Sequence, residues 1–331
     1  MRALILGATG FVGRALVGAL GDAGEDVRAG SRRSLVSLPE RASWVHCDLT
    51  RPETIAPALA GVDVAYYLVH SMGQRGGDFR AIDRTCALEL ARAAAASTCQ
   101  RIIYLGGVAP RGQPSEHLAS RLEVGEILRG GAVPTLELRA SMIVGNGGAS
   151  WQVVRDLAAR LPFMVLPRWL DSKSCPISLA DAIAALVAAR NVPLAGSAWF
   201  DIPGPDTLSV REMLAIVAEL DGRRIPAIRV PVLTPHLSAM WLKLVSGADY
   251  ELARELVLGL TEDLLPQRSF WDVTGHPAQH GFREAAASAL ASEHPPSLVA
   301  RVVERIVRRI GPHAITDRAT AHGAGLHGRG S

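Results

Sequence analysis

Lysine is nearly missing from this chain: of 35 basic residues among 331, only Lys173 and Lys243 are lysines. Any catalytic motif that needs an ε-amine has two positions to draw on. Cysteine is sparse as well. Cys47, Cys86, Cys99 and Cys175 form no C-x-x-C pair, and four in a chain this long build no disulfide framework. A reducing, cytoplasmic setting is the expectation. No run reaches the roughly 18 uninterrupted apolar residues of a membrane span. No cationic leader precedes the first apolar stretch, Arg2-Ala3-Leu4-Ile5-Leu6, so no signal peptide is expected. A net charge of +3 is too small to argue for a nucleic-acid partner, and none is expected.

Apolar residues, in contrast, are plentiful. At 48% hydrophobic and 20% charged, the chain is not disordered and can build a sizeable core. Its length allows about two domains, or one large α/β unit with an added lobe.

Short apolar runs alternate with helix-period segments from the first residues on. The pattern predicts strands at Ala3–Leu6, Asp26–Ala29, Trp44–Cys47, Val62–Val69, Arg101–Leu105 and Thr135–Leu138. Helices are predicted at Phe11–Ala23, Pro52–Leu59, Phe79–Ala96 and Glu116–Arg129. Strand, helix, strand at this spacing means parallel βαβ units, because a parallel pair needs a crossover long enough to hold a helix. Crossovers of one hand give a Rossmann-type, doubly wound parallel sheet over residues 1–145. From 146 to 296 the alternation loosens around prolines such as Pro162, Pro167, Pro203 and Pro205. This part reads as a smaller substrate lobe interleaved with the last strands of the sheet. Two helices remain clear in it, Leu179–Ala189 and Val210–Leu220, the second opened by a Ser209/Glu212 capping box. Asp181 is expected to assist the start of the first.

Residues 297–331 stand apart. Leu298, Val299, Val302, Val303, Ile306, Val307 and Ile310 share one face of a basic helix, which docks on its own domain or a dimer partner, or lies on a membrane surface. The tail beyond Pro312 has no apolar period, and His313, His322 and His327 are too irregular for a metal site.

The strongest motif is Gly7-Ala8-Thr9-Gly10-Phe11-Val12-Gly13, placed after a strand and opening a helix. Gly7 permits the tight turn, Gly10 lets backbone approach a pyrophosphate, and Gly13 lets the helix pack closely. The helix start offers free N–H groups and a positive dipole end to phosphate. The second strand ends in Ala29-Gly30-Ser31-Arg32-Arg33, where an NAD site usually carries an acid. Two guanidiniums there suit a 2′-phosphate, favouring NADP(H) over NAD(H), unless they form only a solvated turn. Asp48-Leu49 follows the third strand and either meets the adenine or, through Asp48, caps the helix near Pro52.

With Asp48-Leu49, three further stretches carry a resemblance: Ala65-Tyr66-Tyr67-Leu68-Val69-His70-Ser71-Met72, Tyr104-Leu105-Gly106-Gly107 and Leu138-Arg139-Ala140-Ser141-Met142-Ile143-Val144-Gly145. With the glycine loop and the run from His117 to Val124, the chain resembles the extended and atypical short-chain dehydrogenase/reductases in their NmrA-like part, over roughly residues 1–290. The resemblance implies cofactor contacts from Leu68, Val69, His70, Gly106, Arg121 and Ala140. It also supplies a test. Active members commonly pair a tyrosine with a lysine four residues on, beside a serine after the fifth strand. Tyr66, Tyr67, Tyr104 and Tyr250 are followed at that distance by His70, Ser71, Val108 and Arg254. The serine position falls at Gly106 or Gly107. The Ser–Tyr–Lys triad is absent.

Where the pair belongs stand His117 and Arg121, at i and i+4 on one helix face. Arg121 is placed to contact the nicotinamide ribose but cannot act as an acid or base. His117 is either a proton donor or a helix-start residue without catalytic duty. Arg121 beside it favours the neutral imidazole. His70 lies past the fourth strand, where open parallel sheets bind ligands, and is either catalytic or bonded to backbone. The glycine-rich loop Ser71–Gly77 reads as a cover for a substrate. The run Arg160–Trp169 lines a hydrophobic pocket or is plain core, and Met142, Trp151 and Trp169 are weaker pocket candidates.

Two functions follow. One is an NADP(H)-dependent oxidoreductase whose hydrophobic small-molecule acceptor needs no strong proton donor: an activated C=C, a C=O, an iminium or a quinone-like compound. The other is a non-catalytic NADP(H)-binding redox sensor or assembly protein. Epimerase- or dehydratase-type chemistry leans on a tyrosine base as well.

Overall fold

The first strand is buried on both faces and so needs cover from both sides. Ala3 and Ile5 point to one layer of side chains, Leu4 and Leu6 to the other. The computed structural model describes residues 1–35, 37–70, 79–160, 164–166, 168–224, 227–229 and 262–293. The chain divides into two compact units, Met1–Leu290 and Ala291–Ser331. All that follows concerns the first. The predicted helix at 297–310, the loop Ser71–Gly77 and the side chains of the run Arg160–Trp169 lie outside the described residues.

Strands β1 (Arg2–Leu6), β2 (Asp26–Ser31), β3 (Ala42–His46), β4 (Val64–Tyr67), β5 (Arg101–Gly107) and β6 (Thr135–Ala140) join a seventh, Ala198–Asp201, in one sheet. All the pairings are parallel, in the order seventh strand, β6, β5, β4, β1, β2, β3. Helices α1 (Phe11–Asp22) and α6 (Leu179–Ala189) cover one face. The other face is covered by α2 (Ile55–Leu59), α3 (Phe79–Ala95) and α4 (Glu116–Arg129). In α1 the buried set is Gly13, Leu16, Val17 and Leu20, the i, i+3, i+4, i+7 stripe of a helix lying on a sheet. Strand order reverses between β1 and β4, which opens a crevice beyond their C-terminal ends.

A separate apolar core joins α5 (Ala149–Arg160), α7 (Val210–Leu220) and the helix Phe282–Ala291. It is built on Trp151, Leu157, Met213, Leu214, Val217 and Phe282. The expected capping box opens α7: Glu212 N donates to Ser209 Oγ at 3.3 Å, and Ser209 N donates to Glu212 Oε2 at 2.7 Å. The predicted helix at Pro52–Leu59 splits into a 3₁₀ turn, Pro52–Thr54, and α2. Pro57 has no N–H to return to Glu53, so the α-helical ladder starts late. The predicted strand Val62–Val69 shortens to β4. Val62 closes the turn at Gly61 through Leu59 O (3.1 Å), and Leu68 passes directly over Gly7.

Ser178 is the N-cap of α6, and Asp181 stands in its first turn. The Asp181 carboxylate accepts from Ser178 Oγ (2.7 Å) and from the backbone N–H groups of Gln279 (3.1 Å) and His280 (3.0 Å). It thereby ties the approach to the last helix onto α6. Burial works against ionisation of Asp181, but the bonds from Ser178, Gln279 and His280 outweigh it and lower its pKa. The stability it contributes is complete above about pH 4, the unfolded value, and is lost as pH falls through the lower folded value. Asp181→Ala is expected to destabilise the fold by about 2–3 kcal/mol at pH 7, read by urea unfolding. The gap between variant and parent should close on acidification.

Candidate nucleotide cleft and adjoining cavity

The glycine loop is shaped by its backbone. Gly7 adopts φ +86, which a side chain disfavours, and a Cβ there would lie 2.8 Å from Leu68 O. Gly7 N and Ala8 N both donate to Gly30 O at 3.3 Å, pinning the loop to the end of β2. A Cβ on Gly13 would stand 2.1 Å from Gly7 O, so the first turn of α1 presses directly on the loop. Gly10 is the N-cap of α1, and no side chain caps the helix. Its first amides, on Phe11, Val12 and Gly13, therefore face the cleft with their donors open. Uncapped amides in a cradle that a Cβ would fill fit a pyrophosphate.

The cleft encloses about 470 Å³ at the switch point. It is lined by Gly7, Thr9, Gly10, Phe11, Val12 and Gly13 from the loop, and by Ser31 and Arg32 after β2. Asp48 and Leu49 line it after β3, Leu68, Val69 and His70 after β4, and Arg121 and Ala140 complete it. Fifteen of the seventeen expected cofactor residues thus come together. Arg33 is exposed and outside the lining; Gly106 is buried and also outside it. The Cα of Gly106 faces the buried carboxylate of Glu137, 2.6 Å from where a Cβ would stand. Only its carbonyl turns towards Arg121. Asp48 does not cap the turn at Pro52, whose N-cap is Arg51 with no side-chain cap bond. Asp48 Oδ1 accepts from Thr50 N (3.0 Å) and Thr50 Oγ1 (2.7 Å), ordering the approach to Pro52, while the residue lines the cleft. Desolvation opposes its charge, but the Thr50 bonds and the nearby Arg32 and Arg51 hold its pKa low.

A second cavity of about 130 Å³ adjoins the first and shares Arg121, Ala140, Ser141, Met142 and Ser150 with it. Its other walls are mostly apolar: Val108, Leu118, Val153, Val154, Val210, Met213 and Leu264. Among the described residues, no carboxylate lines it. His117 belongs to this cavity and His70 to the cleft, and their rings meet edge to face at 6.5 Å. Burial, with Arg121 nearby, lowers the pKa of His117 to about 4. Burial, then the charges of Arg121 and His117, hold His70 well below the ordinary imidazole value. Both rings are neutral at pH 7. Arg121 Nη2 donates to Leu105 O (3.0 Å) and Gly106 O (3.2 Å), and Tyr104 Oη donates to Arg121 O (2.9 Å). Its Nε is buried without a hydrogen-bond partner among the described residues, at the junction of the two spaces.

Sequence reasoning did not single out Ser141, Ser150 or the Gly147-Gly148 pair, which also line the cleft. The run Gly145-Asn146-Gly147-Gly148 ahead of α5 was the available signal. Glycine is needed there because the Phe11 ring packs beneath it: a Cβ on Gly145 would lie 2.9 Å from Phe11 Cζ. Met142 lines both spaces. Trp151 is fully buried in the second core and lines neither, and the Trp169 side chain is outside the described residues.

A seven-stranded parallel sheet with a glycine loop at its switch point is a Rossmann-type α/β fold, the arrangement that suits a dinucleotide. Residues 3–127 match the model of the NAD dependent epimerase/dehydratase family. "Ceramide reductase" of Caulobacter vibrioides (strain NA1000 / CB15N) is 28% identical over 236 residues, 69% of this chain and 73% of that protein. A nucleoside-diphosphate-sugar epimerase from Staphylococcus aureus superposes with a TM-score of 0.69 at 17% identity, covering 87% of this chain and 100% of its own. MoeE5, in complex with UDP-glucuronic acid and NAD, does so at 0.65 and 18%, covering 88% and 98%. At those identities the two structures speak for the fold. No described helix is long and apolar enough to cross a membrane.

Proposed function

We propose that the chain is a cytoplasmic, NADP(H)-dependent reductase of a largely apolar small molecule carrying a C=O, an activated C=C, an iminium or a quinone-like group. The observation that carries this reading is the mostly apolar cavity, free of carboxylates among the described residues, that adjoins the cleft at Arg121, Ser141 and Met142. A relative named for ceramide, a lipid, is compatible with an apolar acceptor. The preference for NADP(H) rests on Arg32 in the cleft wall and on the absence of an acid at the end of β2.

When bound, a reduced nicotinamide supplies hydride. The protein's residues supply the rest. Val108, Leu118, Met142 and Met213 exclude water and hold the apolar body of the acceptor. The His117 N–H and the open Arg121 Nε–H stabilise charge that develops on the acceptor's heteroatom. A neutral imidazole polarises a carbonyl through its N–H, and the proton that completes an alcohol comes from water.

The test is NADPH consumption with a homologous series of methyl ketones and enones. Each added methylene should raise kcat/KM about fourfold until the cavity is full, the equivalent of about 0.8 kcal/mol of burial per step. No turnover with any acceptor, beside tight NADPH binding, would favour a non-catalytic NADP(H)-binding protein of NmrA-like type. The missing triad is the observation on that side.

A further inference from the structure

Trp44 lies on β3, exposed at 39% and outside the lining of the cleft, yet its indole N–H is committed inward. Trp44 Nε1 donates to Ser31 Oγ at 3.1 Å, and Ser31 Oγ in turn donates to Arg33 O at 2.6 Å. Ser31 also holds the strand beside it, since Cys47 N donates to Ser31 O at 3.1 Å. The hydroxyl has one proton, and it goes to the Arg33 carbonyl. Ser31 therefore has no donor left for a phosphate; beside an anion it presents only lone pairs. A 2′-phosphate, which accepts and does not donate, has in Arg32 a charged donor on this wall of the cleft.

The same chain of bonds decides which arginine that is. The bond from Ser31 Oγ to the carbonyl two residues on folds the chain back on itself. It leaves Arg32 in the cleft wall and Arg33 outside it. The indole N–H fixes the direction of the hydroxyl. Without it, Ser31 Oγ is free to rotate and donate elsewhere, and the turn that aims Arg32 loosens.

We propose that Trp44 is a positioning residue for nucleotide choice: through Ser31 it locks the 31–33 turn and directs Arg32 at the 2′-phosphate. This rests on the reading of the cleft as an NADP(H) site. It assigns discrimination between the two nicotinamide nucleotides to a side chain that touches neither.

The experiment is calorimetry on the full chain with 2′,5′-ADP and with ADP, probes that differ at the 2′ position and leave out the nicotinamide. The parent should bind 2′,5′-ADP the more tightly, and Arg32→Ala should abolish the difference. Trp44→Phe should weaken 2′,5′-ADP about tenfold, the scale of one hydrogen bond, and change ADP by less than about twofold. Ser31→Ala breaks the same link from its other end and should also weaken 2′,5′-ADP about tenfold. The double variant should lose no more than either single one, because both remove one interaction. Trp44→Phe that weakens both probes alike, or neither, overturns the latch, as do additive losses in the double variant. A parent that binds the two probes equally, with Arg32→Ala silent, overturns the NADP(H) reading and the latch with it. Should Trp44→Phe fold poorly on thermal unfolding, Trp44→Leu, which also removes the indole N–H from this exposed position, decides by the same outcomes.

Discussion

Gly13→Ala is expected to weaken NADPH binding at least a hundredfold, about 2.7 kcal/mol, while the chain still folds. The new methyl would stand 2.1 Å from Gly7 O, 2.9 Å from Gly7 C and 3.0 Å from Ala8 Cα. All three neighbours are backbone, and Gly7 is itself pinned to Gly30 O, so none can swing aside. The helix must back away from the loop. Overpacking of this kind costs about 1–3 kcal/mol of stability. Binding suffers more, because the amides of Phe11, Val12 and Gly13 move away from the place where they converge on phosphate. Each charge-assisted bond lost is worth about 1.5–3 kcal/mol. Gly18→Ala is the control within the same helix. Nothing lies within 4 Å of its added Cβ, so it should stabilise by about 0.5–1 kcal/mol and leave binding unchanged. Calorimetry and thermal unfolding on both variants make the check. NADPH affinity of Gly13→Ala within threefold of the parent would remove the glycine loop from the nucleotide site.

That loop was legible in the sequence because its meaning is local. Three glycines between a strand and a helix need only their immediate neighbours to state a geometry, and φ +86 at Gly7 and the contact at Gly13 realise it. The six strands from β1 to β6 and the helices between them were legible for a similar reason: each is a run with one period. The edge strand Ala198–Asp201 was not. Four residues, three of them only partly buried, give too little period to read, and only pairing with β6 makes them a strand. The apolar cavity lay further from view. Its walls come from Val108, Leu118, Met142, Val154, Met213 and Leu264, which no local pattern brings together. Arg32 and Arg33 show the same limit at close range. Adjacent and identical in type, they part company because a hydroxyl bond to the Arg33 carbonyl turns the chain between them. The Ser–Tyr–Lys test could be made on sequence alone, but the open Nε of Arg121 could not, since it depends on Leu105 and Gly106 engaging the other end of the guanidinium.

His117→Ala should lower kcat by about a hundred- to a thousandfold, the scale of losing one donor to a developing oxyanion. Affinity for NADPH should stay within about twofold, because His117 lines the second cavity and not the cleft. Two further measurements separate a hydrogen-bonding imidazole from a proton-donating one. The first is the pH profile. With its pKa lowered to about 4 by burial and by Arg121, His117 keeps its neutral form down to that range. The rate should then be level from pH 8 to about pH 5.5 and fall only as pH approaches 4. An imidazole with its ordinary pKa would bend the profile near about 6.5. The second is His117→Gln, which keeps an N–H donor but cannot titrate. If the imidazole acts through its N–H alone, glutamine should recover at least a tenth of the parental kcat. If it gives up a proton, glutamine should be as inactive as alanine, and the parental profile should lose activity above the pKa. A break near pH 6.5 with an inactive glutamine variant would return His117 to the role of general acid and require an anionic group beside it, where the described residues of the cavity supply Arg121, serines and apolar side chains.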